Sequence, residues 1–371
     1  MKFTTNTKPL AEALNLGIID SNVSNFYRRS NVLQLTATAD TLKINIESSM
    51  ICTEISVKGV GEGELATAFV NCVRFKKLIH TLESNVTIEF AENGIKLQSG
   101  NSKFALGDDF GDAISASDSS LRSPVSIPDG IEFSDIHKED WKFVKDNQMY
   151  AISKDFSSKP IYTKVWVGED GGVLTGNFDL GLFTYSKLNQ FGATCLLSDT
   201  IVNLLNSLPD YAQIAKVGTD YVVKFSKDSY DYVTQFTPQY EDDSEIGDYR
   251  SSMIIEKMTH PEITNKVFTG LVTKLLNQAD LLSMTNNDYI TLSIKEDDYL
   301  HLEDDNVHGK IPLEEDNSAT YSVKFKLSSL KQVISNYGDR YINISPIFSG
   351  DITTGIVVWN EELTTICAGV Q

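Results

Sequence analysis

The residues of this chain most able to do chemistry are bases gathered on short helical stretches. Arg74, Lys76 and Lys77 occur with no acid before Glu83, while Phe75, Leu78, Ile79 and Leu82 fall at helical spacing on another face. Lys326 and Lys331 mark a second stretch without an acid, and Lys266 and Lys274 a third that holds Asp280 alone. Cations carried on helices in this way suit sequence-independent contact with phosphate oxygens. Lys and Arg are also good helix formers, so a solvated helix face gives the same pattern. The chain as a whole is acidic, with 51 Asp and Glu against 32 Lys and Arg and a net charge of -19. Its total charge offers no general attraction to nucleic acid or anionic membrane, so a phosphate-binding surface has to be a local patch. The middle third weakens the pattern. The stretch 199–208 has no base, and Lys138, Lys142 and Lys145 are offset by Glu139, Asp140 and Asp146.

Other chemistries find less support. Gly59, Gly61 and Gly63 resemble a phosphate loop in composition, but they precede a strand-like stretch at 65–70 instead of opening a helix, which reads as a hairpin loop. The acidic runs Glu303-Asp304-Asp305 and Glu314-Glu315-Asp316, with His301 and His308 nearby, fit no oxygen-ligand spacing for calcium. Ser, His and Asp occur without a nucleophile elbow, and no Walker loop is present. Cys52, Cys72, Cys195 and Cys367 are far apart, without paired metal spacing, and read as reduced buried thiols of a cytoplasmic protein. The expectation is a protein with no metal, no cofactor and no catalytic function. No apolar run reaches the roughly 18 residues of a membrane span, and MKFTTNTKPL lacks the apolar stretch of a signal peptide.

The elements that must carry the basic residues come in a repeated order. After Glu83 the period changes to two, with Val86, Ile88 and Phe90 and then Ile95 and Leu97 alternating across a turn at Asn93-Gly94. A helix over 199–208 followed by strands through Phe225 and Val233 repeats the unit, as does a helix over 327–335 followed by strands around Ile342 and Val358. The copies are spaced by roughly 125 residues, the size of one domain. Each repeat also has a first half. Helical patterns over 10–18, 140–152 and 266–284 precede alternating strands, and polar stretches at 108–124 and 238–252 read as connectors. The fold class is α+β, with three equivalent modules at 1–120, 121–248 and 249–371.

Several short stretches carry a resemblance. Met1-Lys2-Phe3-Thr4, Val70-Asn71-Cys72-Val73-Arg74-Phe75 and above all Ser99-Gly100-Asn101-Ser102-Lys103-Phe104-Ala105-Leu106 are similar to the first domain of the bacterial β sliding clamp, the processivity subunit of the replicative DNA polymerase, or a phage relative of it. Leu174-Thr175 through Leu180 resembles that family's second-domain strand turn, and Asp248-Tyr249-Arg250 resembles the segment that closes it. The likeness runs along the whole chain in length, order and triplication, and is strongest in the first module.

The resemblance implies a ring in which two protomers join head to tail around duplex DNA, with helices inside and antiparallel sheets outside. It implies as partners sequence-independent double-stranded DNA, the replicative polymerase, a clamp loader and a second copy of the chain, in the cytoplasm of a bacterium or of a phage host and with no membrane contact. Arg28, Arg29, Arg74, Lys77, Lys266, Lys274 and Lys331 would face or rim the DNA channel. A partner-peptide pocket would form near Thr175, Phe178, Leu180 and Tyr249 and the tail Ala368, Gly369 and Val370. Phe104 and Leu106 would meet Leu281 and Leu282 of the next protomer at the dimer seam; all four also fit cores within their own modules. Phe178-Asp179 stands where the family has His-Arg, and Cys367–Gln371 replaces its Met-Pro-Met-Arg-Leu, which puts the peptide preference in question. The rival reading is a three-domain structural or adhesion protein that does not encircle DNA. It leaves the basic helices and the Ser99–Leu106 motif without a reason.

Overall fold

The structure, a computed structural model, describes residues 1–17, 32–47, 50–107, 121–154, 160–168, 170–177, 181–188, 194–239, 263–282, 289–304, 307–314 and 320–370. The first part of the chain gives β1 (Lys2–Asn6), α1 (Thr7–Gly17), β2 (Val32–Ala37), β3 (Thr41–Glu47), β4 (Ile51–Lys58), β5 (Val60–Glu62) and β6 (Ala66–Asn71). It continues with α2 (Cys72–Thr81), β7 (Asn85–Ala91), β8 (Gly94–Ser99) and β9 (Ser102–Gly107). The middle part holds β10 (Ser134–Asp135), α3 (Lys138–Asn147), α4 (Pro160–Thr163), β11 (Val165–Val167), β12 (Gly172–Asn177), β13 (Leu182–Lys187) and β14 (Cys195–Leu197). After these come α5 (Asp199–Ser207), β15 (Gln213–Val217), β16 (Asp220–Lys227) and β17 (Tyr230–Phe236). The last part holds β18 (Asn265–Phe268), α6 (Thr269–Leu282), β19 (Tyr289–Ile294), β20 (Tyr299–Glu303) and β21 (His308–Pro312). It ends with β22 (Tyr321–Lys326), α7 (Leu327–Ser335), β23 (Tyr341–Ser349), β24 (Ile352–Trp359) and β25 (Leu363–Ala368).

These elements form two compact units, 1–141 with 200–238 and 142–199 with 239–371. In the first unit a five-stranded sheet runs β5-β1-β7-β8-β9 and an eight-stranded one runs β10-β15-β16-β17-β4-β3-β2-β6. In the second, an eight-stranded sheet runs β14-β11-β12-β13-β25-β24-β23-β18 and a four-stranded one β21-β20-β19-β22. Strands of the middle repeat therefore complete a sheet in each unit. β17 pairs antiparallel with β4, Tyr230 opposite Val57 through Phe236 opposite Ile51, and β13 pairs with β25, Leu182 opposite Cys367 through Ser186 opposite Leu363. At the first join Thr53 and Thr234 hydroxyls meet at 2.8 Å in the interior.

Several strands, β1, β17, β21 and β22 among them, follow the alternating pattern that sends one side chain in two to a core, whereas β12 is buried at all six positions. In β22 every second residue is buried, Tyr321, Val323 and Phe325, and these pack with Leu292, Leu330 and Val333 in the second unit's core. The glycine-rich stretch is not simply a hairpin loop. Val60–Glu62 is a short edge strand on β1, and side chains at Gly59 and Gly61 would strike Phe3 and the Thr38 carbonyl. The start of α6 also differs from the expected 266–284 helix. Lys266 and Val267 pair with Asn343 and Ile342 in β18, and the helix begins at Thr269, whose hydroxyl hydrogen-bonds to the carbonyl oxygen of Arg340 at 2.8 Å. Val267, Leu271 and Leu275 have helical spacing, but strand pairing claims the first of them. Among the described residues no helix is long and apolar enough to cross a membrane.

Candidate functional site

The basic helices are built so that their cations stay outside. Asn71 caps α2, its side chain accepting from the Arg74 backbone N–H at 3.0 Å, which fixes where the helix starts. From that start, Cys72, Phe75 and Ile79 turn into the core while Arg74, Lys77 and His80 are exposed. His80 Nε2 lies 2.9 Å from Asn15 Oδ1 on α1, so α1 and α2 are joined along their surface as well as through their buried sides. In the second unit α6 buries Val272, Leu276 and Ala279 and exposes Lys274, and α7 buries Leu327, Leu330, Val333 and Ile334. Lys331 is ion-paired with Asp280 at 2.6 Å, a link between α6 and α7 that offsets its charge. Lys266 is half-buried on β18, with its ammonium 5.7 Å from the centre of the Tyr341 ring, and so is not a helix residue. Arg28 and Arg29 lie outside the described residues.

The residues expected at a peptide pocket divide. Thr175 is buried, and its hydroxyl hydrogen-bonds to the Gln148 carbonyl oxygen at 3.0 Å and to Thr184 Oγ1 at 2.6 Å. Gln148, itself fully buried, donates to Thr184 Oγ1 and the Val173 carbonyl and accepts from Ser186 Oγ. Thr175 therefore belongs to an interior polar network that no spacing of residues reveals. The tail is held by its backbone. Ala368 N–H donates to the Gly181 carbonyl, Gly369 N–H to that of Thr354 and Val370 N–H to that of Lys324, at 2.7–2.8 Å. Gly181 has φ +61°, and a Cβ there would sit 2.5 Å from that of Ala368, so the turn before β13 can approach the tail only as glycine. Ala368 and Val370 are exposed. Phe178, Leu180 and Tyr249 lie outside the described residues.

β9 is an edge strand of the five-stranded sheet. Phe104 on it is 38% exposed, whereas Leu106, opposite Ile95, is 8% exposed and belongs to its own unit's core. Leu281 and Leu282, at the end of α6, are 78% and 53% exposed. Apolar side chains this open are single occurrences on many surfaces but as an adjacent pair suit a contact.

The acidic stretch near His301 is internally matched. His301, almost wholly buried, has Nε2 2.7 Å from Asp297 and Nδ1 3.7 Å from Glu303, while Lys310 and Lys295 pair with the same two carboxylates. His301 and then Lys310 hold the Asp297 carboxyl below its usual range, and Lys295 chiefly does so for Glu303. Among the described residues no three His, Cys, Asp or Glu side chains are grouped to hold a metal ion.

With this geometry in view, the chain is similar over its whole length to solved bacterial proteins. The DNA polymerase sliding clamp from Bacillus subtilis superposes with a TM-score of 0.76 at 15% identity, covering 100% of this chain and 99% of that one. A putative DNA polymerase III beta subunit from Eubacterium rectale gives 0.77 at 12% identity, covering both chains completely. The fold is that of a sliding clamp. The DNA polymerase III subunit beta from Pseudomonas aeruginosa agrees, with a TM-score of 0.73 at 13% identity and full coverage of both chains. No family model and no curated protein matches the chain. The α+β class expected from the repeated order of helices and strands, and the clamp architecture expected from the resemblance, are thus the fold observed, at an identity that leaves individual side chains free to differ.

Proposed function

We propose that this protein is a DNA sliding clamp, a processivity factor without catalytic activity. Two copies close head to tail into a ring around duplex DNA, and a replicative polymerase tethered to the ring stays at the primer end. The observation that carries this reading is the end-to-end likeness to clamp chains, with none of either chain left over. The exposed bases Arg74, Lys77 and Lys274 on helices of an acidic chain support it, since a duplex held by charge alone is free to slide. The three modules are 1–120, 121–248 and 249–371. Phe104, Leu281 and Leu282 supply the seam between copies, and the exposed tail at Ala368 and Val370 borders the surface offered to the polymerase and to a clamp loader. The protein acts in the cytoplasm, where the polymerase works.

Enclosure has a signature that simple affinity lacks. With a clamp loader and ATP, the protein is expected to co-sediment with nicked circular DNA at high salt and to be lost when that DNA is linearised. Equal retention on both forms, or on neither, refutes encirclement.

A further inference from the structure

Residues 121–125 have no regular secondary structure, yet they are fastened at almost every step to side chains of the first unit's eight-stranded sheet. Leu121 N–H donates to Gln34 Oε1 on β2 at 3.2 Å. Arg122 donates twice to Glu47 on β3, from its backbone N–H at 3.0 Å and from Nε at 2.5 Å. Ser123 Oγ accepts from Asn45 Nδ2 on β3 at 2.8 Å, and Val125 N–H donates to Gln235 Oε1 on β17 at 2.7 Å. From β2 to β17 is three strand spacings, about 14 Å, and four residues of extended chain reach about 13 Å. The segment therefore lies across the strands.

The Glu47 side chain is only 2% exposed, whereas that of Arg122 is 55% exposed. A carboxylate so withdrawn from water depends on its partners. Beneath the segment, Glu47, Cys52 and Gln235 stand opposite one another on β3, β4 and β17. Cys52 Sγ is 3.7 Å from Gln235 Oε1. The row crosses the β4–β17 join, where strands of the first repeat meet strands of the second.

We propose that residues 121–125 form a latch over this join. Fastened through Glu47, the latch holds β4 against β17 and covers Cys52; released, it loosens the join without unfolding the strands on either side. The inference is independent of DNA binding.

The native thiol is the probe. Burial pushes Cys52 up to about 11, with Arg122 pulling against it. At pH 8 a thiol so raised is almost wholly protonated, against about a quarter thiolate for a free thiol near 8.5. Iodoacetamide labelling of Cys52 and of Cys72, the buried first residue of α2 in the same unit, is followed by peptide mass spectrometry in wild type, Glu47→Gln and Arg122→Ala. The expected result is a Cys52 rate at least tenfold higher in the variants, with Cys72 unchanged and faster hydrogen exchange confined to 51–57 and 230–236. Wild-type labelling of Cys52 in both variants overturns the latch. A parallel rise at Cys72 overturns it too, since that reports general loosening. If the Glu47 variant does not fold, the solvent-facing Arg122 variant decides alone.

Discussion

Replacing Gln148 with Ala tests whether the interior network, and not a surface pocket, fixes Thr175. The carboxamide donates to the Val173 carbonyl at 3.2 Å and Thr184 Oγ1 at 3.1 Å, and accepts from Ser186 Oγ at 2.8 Å. Thr184 keeps Thr175 as a partner at 2.6 Å, so the Ser186 hydroxyl is the group most exposed to loss. A buried polar group left unpaired costs about 1–3 kcal/mol, and the space left by the side chain adds on the order of 1 kcal/mol. The sum is about 2–4 kcal/mol. In a unit of 150–250 residues each kcal/mol lowers the midpoint by about 2–4 °C, so a shift near 10 °C is expected in the transition of the second unit. Urea and thermal unfolding followed by near-ultraviolet circular dichroism measure it, and adding Ser186→Ala should recover part of the loss by removing the orphaned hydroxyl. A cost below about 1 kcal/mol, or a double variant as unstable as the sum of the singles, refutes the network as the element that holds Thr175 inward.

Removing Arg74, Lys77 and Lys274 together is expected to reduce the slope of log affinity against log salt by up to about 0.9 per lost phosphate contact, with no change in base preference; an unchanged slope on duplex DNA takes these helices off the DNA. Leu281→Ala combined with Leu282→Ala should give a folded monomer by light scattering at micromolar concentration, because each fully covered leucine contributes about 1.5–3 kcal/mol to an interface; a persisting dimer places the seam elsewhere. Asp297 and Glu303 have carboxyls held low, so what they contribute is fully present above the ordinary carboxyl range near pH 4 and is lost as pH falls through their lower folded values. Carbon-detected NMR titration should find both below that range, and His301→Asn should raise Asp297 toward it; a wild-type Asp297 that titrates at or above the usual value contradicts the His301 contact.

Helices with one clear apolar face were readable in advance. The 327–335 and 199–208 expectations match α7 and α5 to within a residue, because Leu330, Val333 and Ile334, or Ile201, Leu204 and Leu205, leave no other periodicity. The short strand at 265–268 was not readable, since four residues hold too little pattern and Val267 fits the helix that follows. The two-residue strand Ser134–Asp135 is equally short, and is fixed by pairing with Gln213 and Ile214 some 80 positions away. The basic residues were visible by type, but their pairing was not. That Lys331 meets Asp280 depends on how α6 lies beside α7, a relation with no local trace in the sequence. Thr175 stands out by its place in a motif, but its inward direction follows from Gln148, which no spacing singles out. The fastening of 121–125 was equally hidden, because the polar stretch that leads into it, rich in Ser and Asp, reads as a connector whether or not strands beneath it supply partners.

The pairing of β4 with β17 sets a clock on the ribosome. Thr53 and Thr234, which meet at that join, are 181 positions apart. At about 5–20 residues per second, synthesis takes roughly 10–40 s to reach the second after the first. Throughout that interval the free edge of β4, with Ile51, Ile55 and Val57 along it, is an open template for any other extended chain. β13 then waits in the same way for β25, Leu182 preceding its partner Cys367 by 185 positions. A nascent chain of this protein thus carries at least one unfilled sheet edge from the completion of β4 until β25 is made, so a ribosome-bound holdase that covers extended edges should raise its yield more than an agent that speeds helix formation.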